Sequence, residues 1–165
     1  MTLPTVTGST KMTQTSILFV CHGNICRSAA AEQIMKQIAE QNHAEEYFRI
    51  DSAATSTEEI GNPMYPPMQR VFRAHHMPIR NHHARQLTRK DASDFDLLIG
   101  FDDENMYYLH RICGDQYTDK IHRLTEYSGQ SGEIDDPWYT RDFEKAYAEI
   151  YAGCEALFKK ISLHL

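Results

Sequence analysis

Residues 17–28 read I-L-F-V-C-H-G-N-I-C-R-S, an apolar run followed by a short glycine-containing loop and then by helix-forming residues. This order predicts a buried strand that turns directly into a helix, as in parallel α/β proteins. The predicted strand ends at Cys21. Ligands of open parallel sheets bind beyond the carboxyl ends of the strands. The stretch therefore predicts a fold class and also the position of a site.

Strand and helix patterns alternate along the rest of the chain. Apolar spacing and turn residues predict further strands at 47–51, 95–100 and 120–124, helices at 29–40, 66–76, 102–112 and 143–161, and long loops at 52–67 and 125–140. Ser28 is expected to cap the first helix. The alternation predicts one α/β domain, with a parallel sheet and helices on both faces.

Length and charge restrict the class of protein. The 165 residues suit one domain, for which we expect residues 16–165, preceded by a flexible leader at 1–15. A net charge of −6, from 17 basic and 23 acidic side chains, argues against a nucleic-acid or anionic-membrane partner. The four cysteines follow neither a C-x-x-C pattern nor a secreted framework, which favours a reducing cytoplasm.

Cys21 and Arg27 are separated by five residues at the predicted turn from strand to helix. Backbone N–H groups and the positive end of a helix stabilise a phosphate dianion or a thiolate there. The planar guanidinium of Arg27 can bind two phosphate oxygens. A lone cysteine at a strand end is most often a buried thiol, but Arg27 and the Gly-Asn loop favour a nucleophile that attacks phosphorus.

The chain resembles the low-molecular-weight protein tyrosine phosphatases in four segments. These are V-C-H-G-N-I-C-R-S at 20–28, D-S-A-A-T-S at 51–56 with I-G-N-P at 60–63, H-H-A-R-Q-L at 82–87, and D-P-W-Y at 136–139. The resemblance implies four parallel strands in the order 2-1-3-4. It also implies hydrolysis of a tyrosine-phosphorylated protein or a small aryl phosphate, release of inorganic phosphate, and no metal or other cofactor.

The resemblance also assigns roles to single residues. Cys21 is implied as the nucleophile, Arg27 as the phosphate clamp, and Asp136 as the general acid and later base, with Asp135 as its competitor. The remaining implied residues are His22, Gly23, Asn24, Ile25, Cys26 and Ser28 in the phosphate-binding loop, Ser52 and His82 in a network supporting it with Asn24 and Ser28, and Glu58, Trp138 and Tyr139 in the pocket wall. Cys26 resembles a second cysteine that forms a reversible disulfide with the nucleophile.

Three positions depart from the family pattern. His22 stands where leucine is usual, Ala29 replaces a proline, and Glu58 replaces an aromatic residue of the pocket wall. A carboxylate at position 58 would disfavour acidic residues beside the phosphorylated group and would remove stacking area.

Other functions share these features. A thiol-dependent arsenate reductase would need a further pair of redox-active cysteines. Cys113 and Cys154 are far apart in the sequence, and nothing indicates that they form such a pair. A non-catalytic oxyanion-binding or redox-sensing module would use Cys21 and Cys26 alone. A phosphoarginine phosphatase tends to carry threonine at the position of Ile25, so this isoleucine favours the tyrosine ring.

Overall fold

A computed structural model describes residues 14–130 and 132–163 of the chain. Four strands form one parallel sheet: β1 (Thr15–Cys21), β2 (Phe48–Ala54), β3 (Leu97–Gly100) and β4 (Ile121–Arg123). Their order is β2-β1-β3-β4. This confirms the expected 2-1-3-4 sheet. The leader expected at residues 1–15 lies outside the described residues, apart from Gln14 and Thr15.

Helices cover both faces of the sheet. They are α1 (Arg27–Gln41), α2 (Pro66–Ala74), α3 (Arg89–Asp94), α4 (Asp103–Cys113), α5 (Pro137–Thr140) and α6 (Phe143–Ser162), with 3₁₀ turns at Glu45–Tyr47, Asp115–Lys120 and Leu124–Glu126. None of the described helices is long and apolar enough to cross a membrane.

Alternate side chains of β1 enter two separate hydrophobic clusters. Ile17 and Phe19 pack with α1 and α6 on one face, and Leu18 and Val20 pack with α3 and α4 on the other. All four side chains are fully buried. Because successive residues of a strand point to opposite faces, an unbroken apolar strand requires cover on both sides. The continuous apolar run of β1 thus places it at the centre of the molecule.

The sequence prediction missed α3 entirely. Its residues R-K-D-A-S-D are almost all polar, and only Asp91 and Ala92 are buried, so no apolar periodicity marks the helix. A capping box between Thr88 and Asp91 starts it. Phe95 ends α3, and β3 consequently begins at Leu97 instead of Phe95.

Three further predictions were wrong in detail. β2 runs to Ala54 because the small residues Ser52–Ala54 pair with the end of β1, whereas a loop was expected after Asp51. The expected loop at 125–140 contains α5. Ser28 does not cap α1, which begins at Arg27 after Cys26, without a side-chain cap. The Ser28 hydroxyl lies instead against Cys21.

Candidate active site

The loop between β1 and α1 curves around the sulfur of Cys21. Asn24 makes this curve with a left-handed backbone (φ 61°), which asparagine tolerates better than most residues. Its buried side chain donates from Nδ2 to Ser28 Oγ (2.8 Å) and accepts from the backbone N–H of Arg85 (3.1 Å). His82 Nε2 lies 2.6 Å from the Asn24 carbonyl oxygen. Three hydrogen bonds thus hold Asn24 and the loop in place.

Cys21 lies at the bottom of this loop and is only 3% exposed. The Ser28 hydroxyl is 3.0 Å from its sulfur, and the Ser28 backbone N–H donates to the same atom at 3.4 Å. Both contacts lie at the amino end of α1, where the partial charge of the helix is positive. Two groups of Ser28 thus hold the Cys21 sulfur at the amino end of the helix.

Arg27 is almost wholly buried (2% exposed) and is held by three acceptors. Its Nη1 donates to Asp102 Oδ2 (2.7 Å) and to the Ile134 carbonyl (2.9 Å), and its Nη2 lies 3.4 Å from Asp136 Oδ2. Burial alone would lower the pKa of Arg27. The charges of Cys21, Asp102 and Asp136 outweigh burial and raise it. The guanidinium is therefore a fixed positive charge.

From the sequence, Asp102 was only the first residue of the helix predicted at 102–112. The structure shows that it also orients Arg27, since one carboxylate oxygen accepts from the Asn105 backbone N–H (2.7 Å) while the other binds the guanidinium. Its position at the end of a buried strand was a signal that could have identified it, because the carboxyl ends of parallel strands share one edge.

Asp136, not Asp135, faces the cavity. Its Oδ1 accepts from the Trp138 backbone N–H (3.0 Å) at the start of α5, while its Oδ2 points toward Arg27. The side chain of Asp135 is 58% exposed and lies 3.8 Å from Lys145 Nζ. Of the two carboxylates, only Asp136 is placed to reach a group bound above Cys21.

A cavity of about 120 Å³ opens above the loop. It is lined by Cys21, His22, Gly23, Ile25, Cys26, Arg27, Glu58, Glu59, Tyr65, Asp136, Trp138 and Tyr139. Sequence reasoning named all of these except Glu59 and Tyr65. The ring of Tyr65 lies 5.1 Å from that of Trp138, so aromatic side chains form part of the wall. Tyr65 stands in an irregular, proline-rich stretch, and no periodicity indicated its direction.

The supporting network differs from the one expected. Ser52 binds no loop residue directly: its hydroxyl donates to Glu32 Oε1 (2.5 Å). The same oxygen of Glu32 is 3.9 Å from His82 Nδ1, and its other oxygen accepts from Lys36. Glu32 therefore connects Ser52 to His82 and, through it, to the loop. Sequence reasoning missed this residue, although it lies one helical turn after Ser28.

Cys26 also lines the cavity and carries a free thiol. Burial, followed by the nearby charges of Cys21 and Asp136, raises its pKa, so it stays protonated at neutral pH. The disulfide with Cys21 stays a prediction. Within the described ranges, no group of three or more His, Cys, Asp or Glu side chains is arranged to hold a metal ion.

Known proteins are similar to this chain in sequence and in fold. The family profile described as low molecular weight phosphotyrosine protein phosphatase matches residues 16–164. The low molecular weight protein-tyrosine-phosphatase YfkJ of Bacillus subtilis is 38% identical over 148 residues, covering 88% of this chain and 95% of that protein. The low molecular weight phosphotyrosine protein phosphatase of Homo sapiens is 39% identical, with coverage of 88% and 94%.

The chain belongs to the low-molecular-weight phosphotyrosine protein phosphatase family.

Solved structures of this phosphatase family have the same fold. The crystal structure of YfkJ superposes with a TM-score of 0.89 at 36% identity, covering 92% of this chain and 97% of that one. A protein tyrosine phosphatase from Entamoeba histolytica, with Hepes in its active site, gives a TM-score of 0.85 at 30% identity and coverage of 92% and 99%. The predictions of a protein-tyrosine phosphatase and a phosphoric monoester hydrolase are confirmed at the level of the family.

Proposed function

We propose that this phosphatase hydrolyses phosphotyrosine monoesters through a cysteinyl-phosphate intermediate. The observation that carries the proposal is the presence of Cys21, Arg27 and Asp136 around one cavity of about 120 Å³. A nucleophile, a fixed cation and a carboxyl group are the three components that a metal-free phosphoryl transfer requires.

In the first step, the Cys21 sulfur forms a bond to phosphorus as the bond from phosphorus to the tyrosyl oxygen breaks. Asp136 donates a proton to the departing oxygen, so that tyrosine leaves as a neutral phenol. Arg27 and the backbone N–H groups of the loop bind the remaining phosphoryl oxygens and stabilise their charge in the transition state.

In the second step, water attacks phosphorus and the bond to sulfur breaks. Asp136, now a carboxylate, accepts the proton of the water, and inorganic phosphate leaves. One carboxyl group thus serves both steps in turn. Its hydrogen bond at the start of α5 holds it at the mouth of the cavity throughout.

The cavity wall supports an aromatic substrate. Tyr65, Trp138 and Tyr139 can contact the ring of a tyrosine-phosphorylated protein or a small aryl phosphate, and Ile25 adds an apolar contact from the loop. We also propose a cytoplasmic location, since the cysteine nucleophile needs reducing surroundings and all four cysteines are free.

The arsenate reductase alternative is less well supported. Such an enzyme would pass oxidation from Cys21 to a further pair of thiols. Cys113 and Cys154 are fully buried in the two hydrophobic clusters on opposite faces of the sheet, so they cannot meet without unfolding. The aromatic wall and Ile25 likewise favour phosphotyrosine over phosphoarginine.

Turnover of para-nitrophenyl phosphate and of a phosphotyrosine peptide by the reduced protein tests the proposal. We expect Cys21→Ser to abolish turnover of both. Asp136→Ala should slow hydrolysis of the peptide by roughly 10²- to 10⁴-fold. The tyrosyl leaving group needs the donated proton more than para-nitrophenol does.

Asp135→Ala is the matched control, because it removes the adjacent carboxylate that faces Lys145. It should leave both rates within about twofold of wild type, since an exposed ion pair contributes little. Equal losses in the two aspartate variants, or no turnover by reduced wild type, would refute the proposed roles.

A further inference from the structure

His22 lies between two glutamates at the mouth of the cavity. Its Nε2 is 3.2 Å from Glu58 Oε1, and its Nδ1 is 3.7 Å from Glu104 Oε1. Glu58 comes from the loop after β2 and Glu104 from the first turn of α4. Two parts of the chain that are distant in sequence therefore bring carboxylates to the same residue of the phosphate-binding loop.

Glu59 adds a third carboxylate to this side of the mouth. It lines the cavity beside Glu58 and packs closely against Gly23 of the phosphate-binding loop. Its Cγ lies 3.3 Å from the position that a Cβ would occupy at Gly23. One of its oxygens accepts from Asn62 Nδ2 (2.8 Å). We call Glu58, Glu59 and Glu104 together the acidic rim.

Among the basic side chains that the structure describes, His22 alone contacts the acidic rim. Throughout residues 14–130 and 132–163, no lysine or arginine lies within ion-pair distance of any of its three carboxylates. The side chains of Glu58 and Glu104 are 67% and 57% exposed. Arg27 lies deeper in the cavity, where Asp102 and Asp136 already face it.

A basic side chain lies beside the aromatic part of the cavity wall. Arg141 follows α5, and its guanidinium lies over the rings of Phe143 and Tyr65, at 5.1 and 5.9 Å from their centroids. It donates to the Trp138 carbonyl oxygen at 3.4 Å. A substrate chain leaving the cavity over the acidic rim therefore meets negative charge, without compensation from this arginine.

We propose that the acidic rim selects substrates with a lysine or arginine next to the phosphotyrosine. The inference rests on the proposed function, since the phosphotyrosine must occupy the cavity. A phosphate dianion entering past three carboxylates is repelled, and a neighbouring cation on the same substrate offsets that repulsion while pairing with the rim. Exposed ion pairs of this kind change an equilibrium constant by roughly 1.5- to 5-fold each.

The test compares two phosphotyrosine peptides that differ only in the residues immediately before and after the phosphotyrosine, lysine in one and glutamate in the other. At low ionic strength, we expect kcat/KM for the lysine peptide to exceed that for the glutamate peptide by roughly tenfold, as two or three exposed pairs would give. Near 1 M salt, where the screening length falls to about 3 Å, the ratio should approach one.

A Glu58→Gln/Glu104→Gln double variant should lower the ratio of the two rates several-fold, whatever its effect on either rate alone. Glu45→Gln/Glu46→Gln is the matched control. It removes the same two charges from exposed glutamates next to the amino end of β2, while the cavity lies at the carboxyl end of the sheet. This control should keep both the rates and the ratio of wild type.

A wild-type ratio near or below one at low salt would overturn the inference, as would an unchanged ratio in the double variant. Hydrolysis of para-nitrophenyl phosphate distinguishes a failure of the selectivity from a failure of the proposed function. If it is hydrolysed while the peptide ratio stays near one, only the selectivity is wrong. If neither it nor the peptides are hydrolysed, the proposed function is wrong and the selectivity falls with it.

Discussion

At the scale of single residues, Arg27 is a positive charge held in the interior by groups from distant parts of the chain. Burying an arginine without partners would cost several kcal/mol, and hydrogen-bonded carboxylates offset that cost. Asp102 supplies one partner from the end of β3, and Asp136 supplies another from the start of α5. The same contacts keep the guanidinium in position for phosphate, so stability and function depend on one arrangement.

The four cysteines should differ sharply in reactivity. Cys21 lies at the bottom of the cavity, where the Ser28 hydroxyl and backbone N–H contact its sulfur. Burial raises the pKa of Cys26 and Cys154, and raises that of Cys113 to about 11. We expect iodoacetamide at neutral pH to alkylate Cys21 first, and inorganic phosphate to protect it.

Mass mapping of the alkylated peptides measures this order. Cys113 and Cys154 should resist alkylation in the folded protein, because both side chains are fully buried. Alkylation of Cys26 ahead of Cys21, or an order that phosphate does not change, would contradict the assignment of the nucleophile.

Residue roles were predicted from sequence where local spacing determines the geometry. Cys21 and Arg27 lie on one turn of chain between a strand and a helix, so their spacing alone brings them together. Glu32 and Tyr65 could not be assigned in this way. Their roles depend on which side of the sheet each connection passes, and that is decided by packing between elements.

At the scale of elements, an ion pair joins α3 to Arg85. This arginine ends the segment 82–85, which supports the phosphate-binding loop. Arg85 binds Asp91 through two parallel hydrogen bonds of 3.0 and 3.1 Å and also contacts Asp51 on β2. The backbone N–H of Arg85 is the group that holds Asn24. α3 is short and polar, and it has no large apolar face to pack against the sheet. The Arg85–Asp91 pair and the capping box hold it in position instead.

Asp91→Asn should destabilise the fold at neutral pH by about 2 kcal/mol, because it weakens charge-assisted hydrogen bonds to Arg85 and Thr88. Burial raises the pKa of Asp91, but those hydrogen bonds outweigh burial and lower it. A lowered pKa in the folded state stabilises the protein above the unfolded pKa, and this contribution is lost as the pH falls through the folded value.

Urea unfolding at several pH values measures the free energy of unfolding of both proteins. The difference between wild type and Asp91→Asn should be largest near neutral pH and should shrink below about pH 4. Asp94→Asn on the same helix is the control, since it removes only an exposed pair with Lys90 and should cost about 0.5 kcal/mol or less. Equal losses in both variants would contradict the role given to the Arg85–Asp91 pair.

Elements were predicted well where burial is periodic and poorly where it is not. The residues of α6 that face the core recur every three or four positions, and those of β1 form a continuous apolar run. By contrast, α3 and α5 are short and are defined by capping groups at Thr88 and Asp136. Asp-Pro before an aromatic pair is compatible with a turn or a helix start, and only the tertiary contacts decide between them.

At the scale of the whole molecule, the site is assembled where separate parts of one sheet edge meet. Cys21 ends β1, Asp102 follows β3, and the loop carrying Glu58 follows β2. The order β2-β1-β3-β4 puts β1 between the other two, so its end is surrounded by functional groups from both neighbours. A strand at the edge of the sheet would have neighbours on only one side.

The general position of the site was therefore predictable, because it follows from the fold class. Its electrostatic character was only partly predictable. A net charge of −6 did not reveal that three carboxylates gather at the mouth of a phosphate-binding cavity. The contribution of Glu104 in particular required the placement of α4 next to His22, which no local pattern in the sequence encodes.

Trapping the phosphoenzyme shows whether Cys21 carries the phosphoryl group during turnover. A phosphotyrosine peptide is mixed with the reduced phosphatase, the reaction is quenched during the first turnovers, and the peptide that contains Cys21 is analysed by mass spectrometry. We expect one phosphoryl group on Cys21. Continued turnover with no phosphoryl group on Cys21, or with the phosphoryl group on another residue, would contradict this expectation.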